Sequence, residues 1–597
     1  MDTRNLLSFC FFEGLLWCLG AVGFFCVAGL YTDISGLLFS FTFWLSHPFV
    51  FAAGLFLCCL PFKWIGPRTL STVCVILGGL LSSFFSADLL VYSQYRFHIG
   101  PAMLELFFGP AGTEIFAFTP AFWVLCFLFF GFVFALQIGL LKLAKRFVFS
   151  VRAVKIILAV WGVLFVTYNG LYAWGKFKMV PSIMSQRTVL PFAYPMSANR
   201  RLEKLGFTPA KDPYSLPKRG TFSYPLSPLT CTPPKTVQNI LIILVDALRG
   251  DMFTPEIMPH TTAWAKESGM TVFPHHLSGG NATAGGIFSL FYGLPHSYWD
   301  DVTGTHVPPL LLTRAWQQGY TPAIYASSKL SSPTFDRNVF STVEDLRIGS
   351  QGNSSWERDE DAVNDFENFL NTNPAGKPFL GFIFLDAPHG YSYPPQDKKF
   401  TPSKPVNYLT LTKNTDPLPY LNEYKNSVYF SDRLIDRVLN ALKEKGLLKN
   451  TWVLISGDHG QEMNDSGENF WGHNSNYTDY QIGVPLLVHR PNQTPAQTAN
   501  YFTSHYDIAP TLLKEVFGCT NSPQDYSIGQ NLFDATPRPF FVFSSYTAKA
   551  VRVGDQILVL NNLGGVQQYD NHYRPLTQKI DPTAIKEALK TFSKFYK

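Results

Sequence analysis

Asn239–Leu248 reads NILIILVDAL: six consecutive apolar side chains, Ile240 to Val245, end in the carboxylate Asp246. The run is too short for a typical helix and shows no polar alternation, so it predicts a strand buried on both faces, as in a parallel sheet. The stretches FLGFIFLDAPHG (379–390), TWVLISGDHG (451–460) and VPLLVHRP (484–491) repeat the design, each an apolar run followed by polar or turn residues. MPHTTAWAKESG (258–269) lies between and reads as a helix. Strands alternating with helices predict an open α/β sheet, and such sheets bind ligands beyond the carboxyl ends of their strands. Asp246, His389, Asp458 and His459, far apart in sequence, are therefore expected at one sheet edge.

Working outward, the chain changes character toward its N-terminus. Of the 597 residues, those up to about 175 are dense in Phe, Leu, Val, Trp and Cys and nearly free of charge. Five apolar stretches, at about 6–30, 36–60, 69–92, 116–141 and 152–174, reach the roughly 20 residues that a bilayer crossing takes. None carries a small-residue cleavage site of the signal-peptide kind, so the N-terminus is expected to be retained. Arg4 precedes the first stretch, Lys63 and Arg68 separate the second from the third, and Lys142, Lys145, Arg146, Arg152 and Lys155 separate the fourth from the fifth. The loop around Asp33 has no Lys or Arg, and the loop at 93–115 has Arg96 against Glu105 and Glu114. This alternation places the N-terminus in the cytoplasm and everything after the fifth span on the outer side of the membrane. The fold expected is an N-terminal five-helix transmembrane domain (1–175), an interfacial linker with a short basic helix (176–238), and a periplasmic α/β domain (239–597).

The formal net charge of +5 on this length gives no sign of nucleic acid as a partner. Seven of the nine cysteines lie in the apolar stretches, where Cys acts as a small hydrophobe. Cys231 and Cys519 lie in the polar part, either as one disulfide or as two buried thiols, and no spacing suggests a structural zinc site. In the linker, SANRRLEKLGF predicts a short amphipathic helix from about Ser197, with Arg200, Arg201 and Lys204 near the membrane exit. That basic face is either simply solvated or a contact for anionic lipid headgroups, where each cation contributes about 1 kcal/mol. Residues 540–572 read as short strands, FFVFSSY and QILVLNN among them, forming a small antiparallel sheet packed on the main one.

The residues at the sheet edge suit a divalent metal. Asp246 and Asp458 offer hard oxygens and His459 a borderline nitrogen. Coordination also activates a poor nucleophile such as Thr or Ser. The glycine-rich SGGNATAGGIF (278–288) provides Thr283 at the expected start of a helix, whose free N–H groups favour an anionic ester. On its own, Thr283 reads more readily as an ordinary helix cap than as a nucleophile.

VDALRGD, NATAGGIF, DAPHG, GDHGQEM, WGH and SHYDIAPTLL stand in the order that resembles the sulfatase-like branch of the alkaline-phosphatase superfamily, which includes phosphoethanolamine transferases and lipoteichoic acid synthases. The resemblance covers residues 239–540. It implies a metal (Zn, Mn or Mg) held by Asp246, Thr283, Asp458 and His459, with Thr283 as nucleophile. It also implies that His389 and His473 contact the transferred group or a second metal. The Cys-x-Pro-x-Arg signature of formylglycine sulfatases is absent, which points to phosphoryl rather than sulfuryl chemistry. The implied reaction has two steps, a covalent Thr283 intermediate and its resolution by water or a lipid hydroxyl.

Over the full length, the five spans and the exit segment FAYPMSANRRLEKLGF resemble the YejM/PbgA family of Gram-negative inner-membrane proteins. That resemblance implies binding of lipid A or lipopolysaccharide at Met196, Ser197, Arg200 and Arg201. It further implies anionic phospholipid contacts, control of lipopolysaccharide synthesis through a LapB-like membrane regulator, and a role in cardiolipin traffic. Members of that family can have degenerate metal residues, whereas this chain keeps all four; it departs from the basic pattern at Asn199. Three function classes follow: a membrane-tethered metal-dependent hydrolase or phosphotransferase, a lipid sensor on a silent sulfatase fold, and a lipid-transport protein.

Overall fold

The computed structural model describes residues 2–597 apart from 30–32, 96–97, 101–119, 179, 209–219, 233, 235, 492, 494, 547, 562–565 and 577–581. Arg96, Glu105 and Glu114 of the predicted third loop, and the first residues of the fourth span, lie outside the described residues. The chain divides into two compact units, Met1–Asp212 with Leu560–Gln567, and Pro213–Val559 with Gln568–Lys597.

In the first unit five helices are long and apolar enough to cross a membrane. They are α1 (Thr3–Ala28), α2 (Ile34–Cys59), α3 (Pro67–Tyr95), α4 (Pro120–Arg146) and α5 (Val151–Phe177). Side chains satisfy their first N–H groups: Asp2 accepts from Asn5 N, Asp33 from Gly36 N and Ser150 from Ala153 N. The fourth helix runs past the predicted end at 141 to Arg146, with Lys145 and Arg146 in a last turn whose dipole favours cations. In the linker the predicted basic helix is shorter than its sequence pattern, α6 (Asn199–Lys204). The Met196 N–H donates to Asn169 Oδ1 at 2.8 Å, which holds the preceding residues extended and delays the helix start.

The second unit is built on one sheet. Its strands are β1 (Asn239–Val245), β2 (Thr271–Leu277), β3 (Thr321–Ala326), β4 (Phe379–Leu385), β5 (Thr451–Gly457), β8 (Gly483–His489), β9 (Gln497–Thr498) and β10 (Thr503–Ser504). The short hairpin β6 (Glu462–Met463) and β7 (Trp471–Gly472) projects between β5 and β8. The order is β10-β2-β8-β5-β1-β4-β3, with β9 paired to β2. β1 runs parallel to β4 and β5, and all seven of its residues are buried. Ile240, Ile242 and Leu244 enter one core cluster while Leu241, Ile243 and Val245 enter the other, so helices cover both faces. Each such fully buried side chain contributes about 1.5–3 kcal/mol.

β8 corrects the sequence reading. It does not repeat the design of β1, β4 and β5, because it pairs antiparallel with β5 and with β2. Between β5 and β8 the chain makes only the hairpin and one turn of helix, Asp479–Ile482. A parallel return needs a crossover of a dozen or more residues that carries the chain back across the sheet. This excursion stays at the carboxyl edge, so β8 starts there and runs away from it.

The C-terminal strands β11 (Phe541–Ser544), β12 (Ala548–Val553), β13 (Gln556–Asn561) and β14 (Val566–Asp570) form a separate sheet in that order, with β11 and β12 antiparallel. Cys231 and Cys519 are joined as a disulfide.

Candidate metal centre at the sheet edge

Strand register sets the site. Val245 pairs with both Leu385 and Gly457, so Asp246, Asp386 and Asp458 leave three adjacent strands from one level. β2 points the same way and delivers Ser278–Ala282 to the helix Thr283–Tyr292, α7 here, in which Thr283 is the first residue. The Ser278 hydroxyl donates to the Asp458 carbonyl at 2.5 Å. A Cβ on Gly286 would stand 2.1 Å from that same carbonyl oxygen, so only glycine lets α7 approach β5 this closely.

Thr283, Asp246, Asp458 and His459 come together here. Thr283 Oγ1 is 3.3 Å from His459 Nε2, and that nitrogen is 3.5 Å from both Asp246 Oδ1 and Asp458 Oδ2. The His459 Nδ1–H donates to the Gly460 carbonyl at 2.8 Å, which leaves Nε2 with its lone pair toward the site. Asp458 Oδ1 accepts the Ala247 and His459 N–H groups at 3.0 and 2.7 Å. Ala247 holds a left-handed φ of 60°, a costly conformation for a residue with a Cβ, and thereby aims its N–H at that oxygen.

Asp246 Oδ1 and Asp458 Oδ2 are buried with no partner at hydrogen-bonding distance, and the Thr283 hydroxyl is the side-chain donor that favours the charged form of both carboxyls. Burial and the neighbouring Asp458 charge push the Asp246 carboxyl well above the usual carboxylate range. Burial pushes Asp458 up to about 7 and pulls His459 down to about 3. Two bare carboxylate oxygens converging on a neutral imidazole fit a divalent cation, which supplies the missing counter-charge. The ligand atoms of Asp246, Asp458 and His459 all lie within 4.8 Å of one another.

His389 and His473 adjoin this set. The rings of His459 and His473 are 4.3 Å apart by centroid, and those of His389 and His473 are 5.2 Å apart. His473 Nδ1 lies 2.8 Å from Gln461 Oε1, an acceptor, so Nδ1 carries the hydrogen. Asp386 is a residue the sequence reading passed over, although DAPHG places it after β4 as VDAL places Asp246 after β1. It groups with Asp246 and His389 as a second potential ligand set, and Asp386 Oδ1 is 3.5 Å from His389 Nδ1. Arg249 was also passed over. Buried beneath the edge, it pairs with Asp251 and Asp465, donates to the Gln461 carbonyl and stacks on Tyr480, joining the loop after β1 to the loop after β5. Its signal was the RGD that follows VDAL.

Met196, Ser197, Arg200 and Arg201 belong to the first unit. From Pro191 to Met196 burial alternates: Pro191, Ala193 and Pro195 face inward, and Phe192, Tyr194 and Met196 are exposed. Arg200 and Arg201 follow, both exposed, on α6.

Residues 238–518 match the Sulfatase family and residues 3–231 match a domain of unknown function, DUF3413. The chain is 27% identical over 582 residues to inner membrane protein YejM of Salmonella typhimurium, covering 94% of this chain and 92% of that relative. Phosphoethanolamine transferase EptA of the same organism is 28% identical over 261 residues, 42% of this chain and 46% of the relative. Among solved structures, the integral membrane lipooligosaccharide phosphoethanolamine transferase A of Neisseria meningitidis aligns with a TM-score of 0.54 at 16% identity, over 87% of this chain and 96% of that one. That likeness establishes a shared fold.

Proposed function

For a chain that carries a sulfatase-family domain behind five apolar helices, and that is similar over 94% of its length to inner membrane protein YejM, we propose metal-dependent phosphoryl-group transfer from a lipid-borne phosphoester. The observation that carries this reading is the pair of unpartnered oxygens, Asp246 Oδ1 and Asp458 Oδ2, beside Thr283. Asp246, Thr283, Asp458 and His459 would hold a divalent ion (Zn, Mn or Mg), which would supply Lewis acidity toward hydroxyl and phosphoryl oxygens. Thr283 Oγ1 gives up its proton and bonds to phosphorus as the ester oxygen departs and takes up a proton; water or a lipid hydroxyl, losing its own proton, then displaces Thr283 Oγ1, which regains one. The free N–H groups at the start of α7 receive the phosphoryl oxygens. His389 and His473 steady the charge that develops there. In this reading the sheet unit is periplasmic and the N-terminus cytoplasmic, in keeping with the alternating Lys and Arg of the loops.

The test is metal content of the purified full-length protein beside Asp458→Ala and His459→Ala. Near-stoichiometric metal that both substitutions remove supports the reading. A wild-type protein that stays metal-free after exposure to Zn, Mn and Mg overturns it.

A second reading concerns the membrane exit. The exposed Phe192, Tyr194 and Met196 beside Arg200 and Arg201 favour a lipid headgroup contact, apolar groups for acyl chains and guanidinium groups for phosphate. Lipid A, lipopolysaccharide or another anionic phospholipid such as cardiolipin has that chemistry. Such a contact would let the protein report lipid supply to a LapB-like regulator and so control lipopolysaccharide synthesis. Arg200→Ala with Arg201→Ala should weaken binding of the full-length protein to lipid A by on the order of tenfold. Unchanged binding would reduce the segment to a solvated helix.

A further inference from the structure

Glu13 lies on α1, ten residues beyond its first, about 15 Å along the helix and so close to the middle of a hydrocarbon core about 30 Å thick. It is fully buried, as is Gln137 on α4. Ser82 on α3 connects them. Its hydroxyl accepts from Trp17 Nε1 at 2.9 Å and from Gln137 Nε2 at 3.2 Å, and lies 3.4 Å from Glu13 Oε2 as a donor.

Two oxygens remain without a donor, Glu13 Oε1 and Gln137 Oε1. They face the same small space. A Cβ on Gly78 would stand 2.5 Å from Gln137 Oε1 and 3.0 Å from Glu13 Oε1, so the absence of a side chain there leaves both oxygens room. Among the described residues no Lys, Arg or His forms an ion pair with Glu13. A bare carboxylate at this depth is costly, and an ionisable group inside a membrane marks a function more often than a structural accident.

We propose that Glu13, Ser82 and Gln137 form a proton-binding site in the membrane bundle, in which a proton on Glu13 Oε1 donates to Gln137 Oε1. One hydrogen then satisfies both orphan oxygens and removes the charge. The two free acceptors are too few for a sodium ion, which needs several more oxygens. The bound proton closes a hydrogen-bonded chain across α1, α3 and α4. Its departure leaves a bare charge at the seam and loosens these three helices.

The experiment uses full-length protein in lipid nanodiscs. The infrared spectrum of wild type minus Glu13→Gln should contain the C=O stretch of a protonated carboxyl group, shifted down in heavy water. A difference confined to carboxylate bands overturns the proposal and would mean that the Gln137 amide is turned to donate to an ionised Glu13. Because the variant could fail to assemble, wild type alone is also treated with dicyclohexylcarbodiimide, which modifies protonated carboxyl groups in apolar surroundings. Modification at Glu13 that is the same in sodium and in choline supports the site. Protection by sodium overturns the proton as its occupant, and an unmodified Glu13 overturns the site.

Discussion

Asp458 and Asp507 are both fully buried, and both follow strands of the same sheet. Asp507 is saturated: it accepts Arg538 Nη1 and Nη2 at 2.9 and 2.6 Å and the Ser504 and Gln530 N–H groups at 2.7 and 2.9 Å. Asp458 has two backbone donors on Oδ1 and none on Oδ2. The first arrangement is complete in the folded chain and needs nothing from outside. The second leaves one oxygen open to a proton or a cation, so a half-satisfied carboxylate marks a candidate ligand site where a satisfied one marks a structural joint.

Four measurements break or sharpen this contrast. The largest effect belongs to Thr283→Ala, which should lower turnover of a phosphodiester by on the order of a thousandfold or more while circular dichroism stays native. Retained turnover would detach the open cluster from any chemistry at Thr283. Next comes Asp507→Ala, which strands Arg538 and should cost about 3–5 kcal/mol in denaturant unfolding. A neutral result would erase the distinction from the structural side.

Asp458→Asn should do the opposite in protein stripped of metal, because it removes a carboxyl whose ionisation burial opposes. Burial pushes the folded acid up to about 7 from the 3.8 of the free side chain, so the folded state holds the extra proton between those values. The stability owed to this group therefore falls as pH rises through that window. The advantage of Asn should be absent below its lower limit and complete above its upper one, as unfolding midpoints against pH will record. An advantage that shrinks with rising pH would refute the assignment. The smallest effect is that of Gly286→Ala, which presses α7 off the Asp458 carbonyl at a cost of about 1–3 kcal/mol. Metal affinity should fall with stability; loss of stability alone would show that α7 does not set the cluster.

Much of this was legible in the sequence, for reasons that also explain what was missed. β1, β4 and β5 are buried on both faces and so must read as unbroken apolar runs ending in turn residues, which gives away both the strands and the edge. The bundle helices were legible from length and apolarity, although the fourth overran its predicted end because Lys142, Lys145 and Arg146 continue the helix. Strand direction was not legible, since VPLLVHRP has the same composition whichever way it runs; only the length of the preceding connection told against a parallel β8. Asp386 was hidden because its role depends on register with β1, a property of pairing that no single segment carries. Arg249 was hidden because a buried arginine is recognisable only once Asp251 and Asp465 surround it.

The bond between Cys231 and Cys519 closes a covalent ring, its ends 288 residues apart in sequence, that holds every residue of the candidate metal site. In mechanical terms the ring is a bypass. Tension entering along the chain from the linker crosses at Cys231 to Cys519 and reaches the C-terminal strands without loading β1, β4 or β5. The sheet that fixes the ligand geometry is thereby uncoupled from strain in its own tether, and a single backbone cut anywhere inside the ring would still leave one covalent molecule.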